Sequence, residues 1–140
     1  MIARPRFQRH QLFPLALILL LALLLRLLLW GNLPRLGLIS DEGEYLSAAT
    51  WLAQGRGFSW YQYYLWTRAP LYPLVLAGHL WLFGDTLTPI FVSQLLLSLV
   101  NVCLTYTLAR RTLPDTPRSV ADLAALLTAL YLPLAIYTQT

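Results

Sequence analysis

The chain has 140 residues, of which 58% are apolar and only 11% charged, against ~25% charged in ordinary soluble domains. So few charges cannot clothe a water-soluble globule or keep a chain disordered. Those classes are excluded, and the composition points to an integral membrane protein of one domain at most. The net charge of +4 rests on Arg alone, with no Lys, and the Arg residues flank apolar runs instead of forming one stripe. Nucleic acid is therefore not an expected partner.

Residues 12–30 form the first apolar run, with twelve Leu and a single charge at Arg26. As a helix it rises ~28 Å, close to a hydrocarbon core of ~30 Å. Each Leu favours insertion by roughly 0.5 kcal/mol, and together they outweigh one Arg costing at most ~3 kcal/mol. Arg26 stands four residues before Trp30 and is expected to snorkel toward the interface. A cleaved signal peptide would have a shorter apolar core and a small-x-small site. Trp30-Gly31-Asn32-Leu33-Pro34 offers no such site, so the run is expected to be an uncleaved anchor.

Ser40-Asp41-Glu42-Gly43-Glu44-Tyr45 follows. Asp41 reads as a helix N-cap and Glu44 as its capping-box partner, with all three acids suited to the positive end of the helix dipole. Tyr45, Ala48, Ala49 and Leu52 fall on one face, and Gln54-Gly55 reads as the stop, giving an amphipathic helix at a membrane surface. A carboxylate pair could also work as a base beside a sugar- or metal-binding neighbour, and capping does not exclude that use. The aromatic run Trp60-Tyr61-Gln62-Tyr63-Tyr64-Leu65-Trp66 reads as an interfacial belt. A carbohydrate-stacking or lipid-contacting face is its other use. Arg68 could anchor the loop to headgroups or fork onto a lipid phosphate.

Residues 71–84 are apolar but too short for a comfortable crossing, and suit an interfacial or re-entrant helix. His79 within them reads as an interfacial polar residue. The next span is residues 89–109, stopped by Arg110-Arg111. The lone Cys103 inside it excludes an internal disulfide or a Cys-based metal site. Gln94 and Asn101 suit helix–helix hydrogen bonding. After the turn-rich stretch Pro114-Asp115-Thr116-Pro117, Ser119 reads as an N-cap with Asp122. The last span then runs over residues 120–137 with a kink at Pro133.

Charge sets the orientation. If residues 71–84 do not cross, Arg4, Arg6, Arg9, Arg110, Arg111 and Arg118 lie on one side, and Arg35, Arg56 and Arg68 on the other. The positive-inside rule then places the N-terminus in the cytoplasm and residues 31–88 in one outer loop. The expected fold is all-α: three transmembrane helices and a large outer loop with two juxtamembrane helices.

The order of these pieces resembles the start of the GT-C superfamily of membrane glycosyltransferases. The resemblance is nearest to the dolichyl-phosphate-mannose-protein mannosyltransferase and aminoarabinose-transferase branch (family 39). It is carried by the Arg-flanked first span, Asp41-Glu42 with Tyr45, and Gly55-x-Gly57. It continues through Arg68-Ala69-Pro70-Leu71-Tyr72-Pro73, Leu82-Phe83-Gly84 and Leu108-Ala109-Arg110-Arg111. It implies a multi-pass enzyme of the inner or plasma membrane. Such an enzyme moves a sugar from a polyprenyl-phosphate donor to a lipid, glycan or protein acceptor on the outer face. Asp41 would be the catalytic base and Glu42 would assist by binding sugar or a divalent metal ion. Arg68 would meet the donor phosphate, and Glu44, Tyr45 and Tyr72 would line the substrate. Two positions depart from the pattern: Ala69 stands for the first of two prolines, and Gln94 where an Arg is frequent. Enzymes of this kind are several times longer, so the chain is expected to be an N-terminal part that is inactive alone. The rival expectation is a non-catalytic three-span protein that acts as an interaction subunit.

Overall fold

The structure is a computed structural model that describes residues 13–30, 32, 41–61, 64–65 and 69–136. Expectations resting on Arg4, Arg6, Arg9, Arg35, Ser40, Arg68 and Tyr137 lie outside the described residues. The elements in chain order are α1 (Phe13–Leu29), α2 (Glu42–Ala53), β1 (Ser59–Tyr61), β2 (Tyr64–Leu65), α3 (Leu71–Phe83), α4 (Thr88–Thr112), α5 (Arg118–Leu130) and α6 (Leu132–Ile136). The fold is thus helical, with one short antiparallel strand pair. The chain divides into two compact units, one of residues 1–33 and 94–139, the other of residues 34–93 and 140.

The first unit is built from α1, most of α4, α5 and α6. Its core holds Ile18 and Ala22 of α1, Val102 and Tyr106 of α4, and Ala121, Ala125 and Ala129 of α5. The three Ala recur every fourth residue and put no side chain beyond Cβ into the seam, so α5 approaches α1 closely. Among the described residues α4 is the one helix both long and apolar enough to cross a membrane, while α1 and α3 are apolar but shorter. Its 25 residues rise ~37 Å.

Arg26 does not reach out toward an interface as the snorkelling expectation required. It is buried, with 1% exposure. Its Nε donates to Ser98 Oγ at 2.5 Å, and its Nη1 donates to Ala22 O at 3.0 Å and Ala129 O at 3.1 Å. The reason lies in Pro133. Helix α5 stops at Leu130, and Tyr131 is extended at φ −66°, ψ 100°. A continuous helix would bond the amide of residue 133 to Ala129 O, but Pro has no N–H and its ring clashes there. The guanidinium occupies the carbonyl left open, and an internal donor outweighs the gain from reaching water. The chain break thus lies at Tyr131, just before the expected Pro133 kink.

The start of α5 also differs from expectation. Pro117, at φ −55° and ψ 145°, is the N-cap and makes no side-chain cap bond. Ser119 therefore falls inside the first turn. The fixed proline φ sets the turn into the helix, and Asp122 pairs with Arg118 at 3.7 Å. The Arg118 guanidinium lies 5.9 Å from the Tyr106 ring centroid.

In the second unit Ala49 of α2, Leu76 and Ala77 of α3 and Ile90 from the start of α4 form the core, flanked by Tyr45, Leu52, Ala53 and Leu80. The buried face of α2 is the one expected from the spacing. Its chain reversal uses Gly55 at φ 71° and Gly57 at φ 88°, angles that favour glycine. Strand β1 then runs against α2 and pairs with β2 in the register Ser59↔Leu65 and Tyr61↔Tyr64. Aromatic residues suit such a pleat, and α2 supplies the support that an isolated two-stranded pair lacks.

Replacing Arg26 by Met should lower the stability of the first unit by ~1–3 kcal/mol, because Ala129 O and Ser98 lose a charged donor. In a Pro133→Ala background the amide returns, and the same replacement should cost ~1 kcal/mol less. Equilibrium unfolding of the chain in mixed micelles measures both. Equal losses in the two backgrounds would mean that Arg26 and Pro133 act independently.

Candidate functional site

The residues expected to carry chemistry cluster where α2 begins. Asp41 is the N-cap residue, with φ −79° and ψ −9°, and makes no side-chain cap hydrogen bond. That corrects the expected capping role. A capping side chain reaches the second or third amide from an extended backbone, whereas Asp41 is already curled as helix. Its backbone carbonyl instead accepts from Tyr45 N–H at 3.0 Å. Glu42 and Glu44 occupy the first turn, where the helix dipole favours negative charge. Asp41 is exposed and the two Glu are half-buried. All three, with Tyr45, take part in interactions within the protein.

Tyr45 and Tyr72 meet edge to face, with ring centroids 5.4 Å apart and planes at 71°. Tyr45 is reached because it lies one turn into α2, on the side of Ala48 and Ala49. Tyr72 is reached because Pro70 starts α3 and turns its second residue toward α2. Two expected substrate-lining residues are therefore brought together, and they tie the acidic start of α2 to the start of α3. Arg68, just before α3, lies outside the described residues.

No protein-family model, curated protein or solved structure matches this chain.

Among the described residues no group of three or more His, Cys, Asp or Glu could hold a metal ion. His79 stays within its own helix, its Nδ1 2.8 Å from Val75 O. Gln94 is half-buried on α4. The residue that sequence reasoning missed is Arg26. The signal for it was available: a lone charge in a Leu run, with a Pro late in another apolar run whose open carbonyl needs a donor.

The Tyr45–Tyr72 contact should show as coupling. In a double-mutant cycle with Leu at each position, the interaction energy should be ~0.5–1.5 kcal/mol beyond lost burial. Thermal unfolding of the four variants measures it, and additive losses would mean that the two rings contribute separately.

Proposed function

We propose that the chain is part of a GT-C-type membrane glycosyltransferase that uses a polyprenyl-phosphate sugar on the outer membrane face. The observation that carries this reading is the Tyr45–Tyr72 ring contact at 5.4 Å. It draws together two of the segments on which the resemblance rests, the acidic start of α2 and the Pro70-Leu71-Tyr72-Pro73 start of α3.

In this reading α1, α4 and the α5–α6 pair each cross the bilayer. The run from Arg118 to Ile136 rises ~28 Å, near the ~30 Å core. Support comes from how α4 treats its hydroxyls. Ser93, Ser98, Thr105 and Thr107 each donate to a carbonyl three or four residues back, at 2.8–3.0 Å. They need no water, as a lipid setting demands. Exposed Leu side chains line α1 and α4, Leu17, Leu28, Leu97 and Leu104 among them, where lipid would cover them. Helix α3 has 13 residues, rises only ~20 Å and lies along the outer surface. The N-terminus is cytoplasmic and residues 31–88 are external.

The chemistry follows from residue types. The Asp41 carboxylate accepts the proton of an acceptor hydroxyl as that oxygen bonds to the anomeric carbon. The bond from that carbon to the phosphate oxygen breaks, and polyprenyl phosphate leaves with the electron pair. Arg68 lowers the barrier by meeting the negative charge that grows on the phosphate. Glu42, Glu44, Tyr45 and Tyr72 bind sugar hydroxyls and ring faces.

Two measurements test this. Cysteines placed at Gln54 and Thr86 should both be labelled only from outside; labelling of Thr86 from the cytoplasm alone would make α3 a crossing. In membranes that transfer sugar from a polyprenyl-phosphate donor through this protein, Asp41→Asn should reduce turnover by ~100-fold or more. Asn removes the base, and no side-chain cap bond is lost with it. Asp85→Asn, at an exposed acid outside the proposed site, should retain most activity. Near-normal turnover with Asp41→Asn would remove that residue from the mechanism.

A further inference from the structure

Three arginines meet where α4 gives way to α5. Arg110 and Arg111 lie in the last turn of α4 and both are exposed. Among the described residues neither has an ion pair or a side-chain hydrogen bond. Arg118 opens α5, and its guanidinium lies 5.9 Å from the centroid of the Tyr106 ring. Tyr106 is one turn before Arg110 on the same side of α4, so Arg118 is held beside the arginine pair. The connection between the helices is tight. Thr116 donates to Leu113 O through its N–H at 3.2 Å and through its Oγ1 at 2.8 Å. A fixed turn thus keeps three like charges together.

The acids nearby do not balance them. Asp122 Oδ2 is 3.7 Å from Arg118 Nε, too long for a hydrogen bond. Asp115, in the turn, is exposed and pairs with none of the three. Arg118 Nε and Nη2 are buried without a hydrogen-bond partner, a costly state for charged donors. These two nitrogens carry the parallel N–H groups of the guanidinium's side-on fork, which matches two oxygens of one phosphate. The place of the cluster names the partner. Helix α4 is long and apolar enough to cross a membrane, and its apolar stretch ends at Ala109, just before the arginines. When α4 crosses as proposed above, all three stand at headgroup level. We propose that Arg110, Arg111 and Arg118 form a binding site for the phosphate of an anionic phospholipid. The Arg118 side chain is 25% exposed, and turning its guanidinium outward from the Tyr106 ring brings the unbonded fork to the phosphate. Arg110 and Arg111 supply the remaining positive charge. This rests on α4 crossing the bilayer, and on nothing in the sugar-transfer chemistry.

The test uses the full chain in vesicles of phosphatidylcholine and phosphatidylglycerol. In a Cys103→Ser background a fluorophore is attached to a cysteine at Leu113, an exposed residue beside the cluster. Its quenching by either lipid with a nitroxide on the acyl chain measures the preference for the anionic one. The chain with all three arginines should prefer phosphatidylglycerol. Arg118→Gln should lower the preference about fivefold, the worth of one arginine near a charged surface. Arg110→Gln combined with Arg111→Gln should remove most of it. Because those two are exposed, their double variant leaves the core of the unit intact and decides the matter even where Arg118→Gln misfolds. Arg56→Gln, at an exposed arginine of the other unit, should leave the preference unchanged. Equal quenching by the two lipids in an inserted chain would overturn the site alone. So would an equal loss from Arg56→Gln, the mark of diffuse surface charge. Displacement by inorganic phosphate beyond that by chloride at matched ionic strength would overturn the lipid as the ligand in favour of a soluble phosphate. A chain extracted from the vesicles by alkali would overturn the membrane crossing and the site together.

Discussion

The helical unit depends on how one buried guanidinium is satisfied. The Arg26 guanidinium has only donors to offer, and the core of its unit is otherwise Ile, Val and Ala with the ring of Tyr106. Its three described bonds reach three helices: its own through Ala22, α4 through Ser98, and α5 through Ala129. Ser98 extends the chain of bonds, since its Oγ accepts from Arg26 and donates to Leu95 O at 2.9 Å. Directional bonds of this kind fix rotation and register, which Leu and Ala contacts alone leave loosely set. The Ala121, Ala125 and Ala129 seam is the other half of the arrangement. Side chains larger than methyl would hold α5 too far from α1 for the guanidinium to reach the Ala129 carbonyl.

The second unit uses different means. Its helices are short and it holds no buried charge among the described residues. Order comes from small residues in the seam, from a ring pair, and from glycines that end elements where side chains would be strained. Gly84, at φ 73° and ψ −163°, ends α3 in a conformation open almost only to glycine. These devices place the acidic first turn of α2 beside the first turn of α3. A site built this way owes its geometry to helix starts, which loops alone would hold less firmly.

Much of the helical layout was legible in the sequence because apolar runs, breakers and charges coincide. The bounds of α3, the buried face of α2 and the Gly55 stop follow from local spacing. What was not legible depends on partners distant in the chain. Arg26 read alone is a charge near the end of an apolar run, and only Ala129 and Pro133 give it an inward use. The N-cap expectations at Asp41 and Ser119 failed for a related reason. Composition indicates where a cap is favourable, but backbone angles set by the preceding residues decide whether the side chain can reach an amide. At the candidate site the pattern of residues was readable, while the meeting of Tyr45 with Tyr72 required the packing of α2 on α3.

The Arg26 bonds also impose an order in time. Ser98 lies 72 residues and Ala129 lies 103 residues beyond Arg26. At ~5–20 residues synthesised per second, α1 exists for roughly 5–20 s before the last of these acceptors has been made. During that interval the guanidinium has only its own turn's carbonyl and whatever water it can reach. The first helix thus keeps an incompletely bonded charge until α5 has emerged, and settles into its final packing only then. A nascent chain halted between Ser98 and Ala129 would leave that charge without its acceptor on α5.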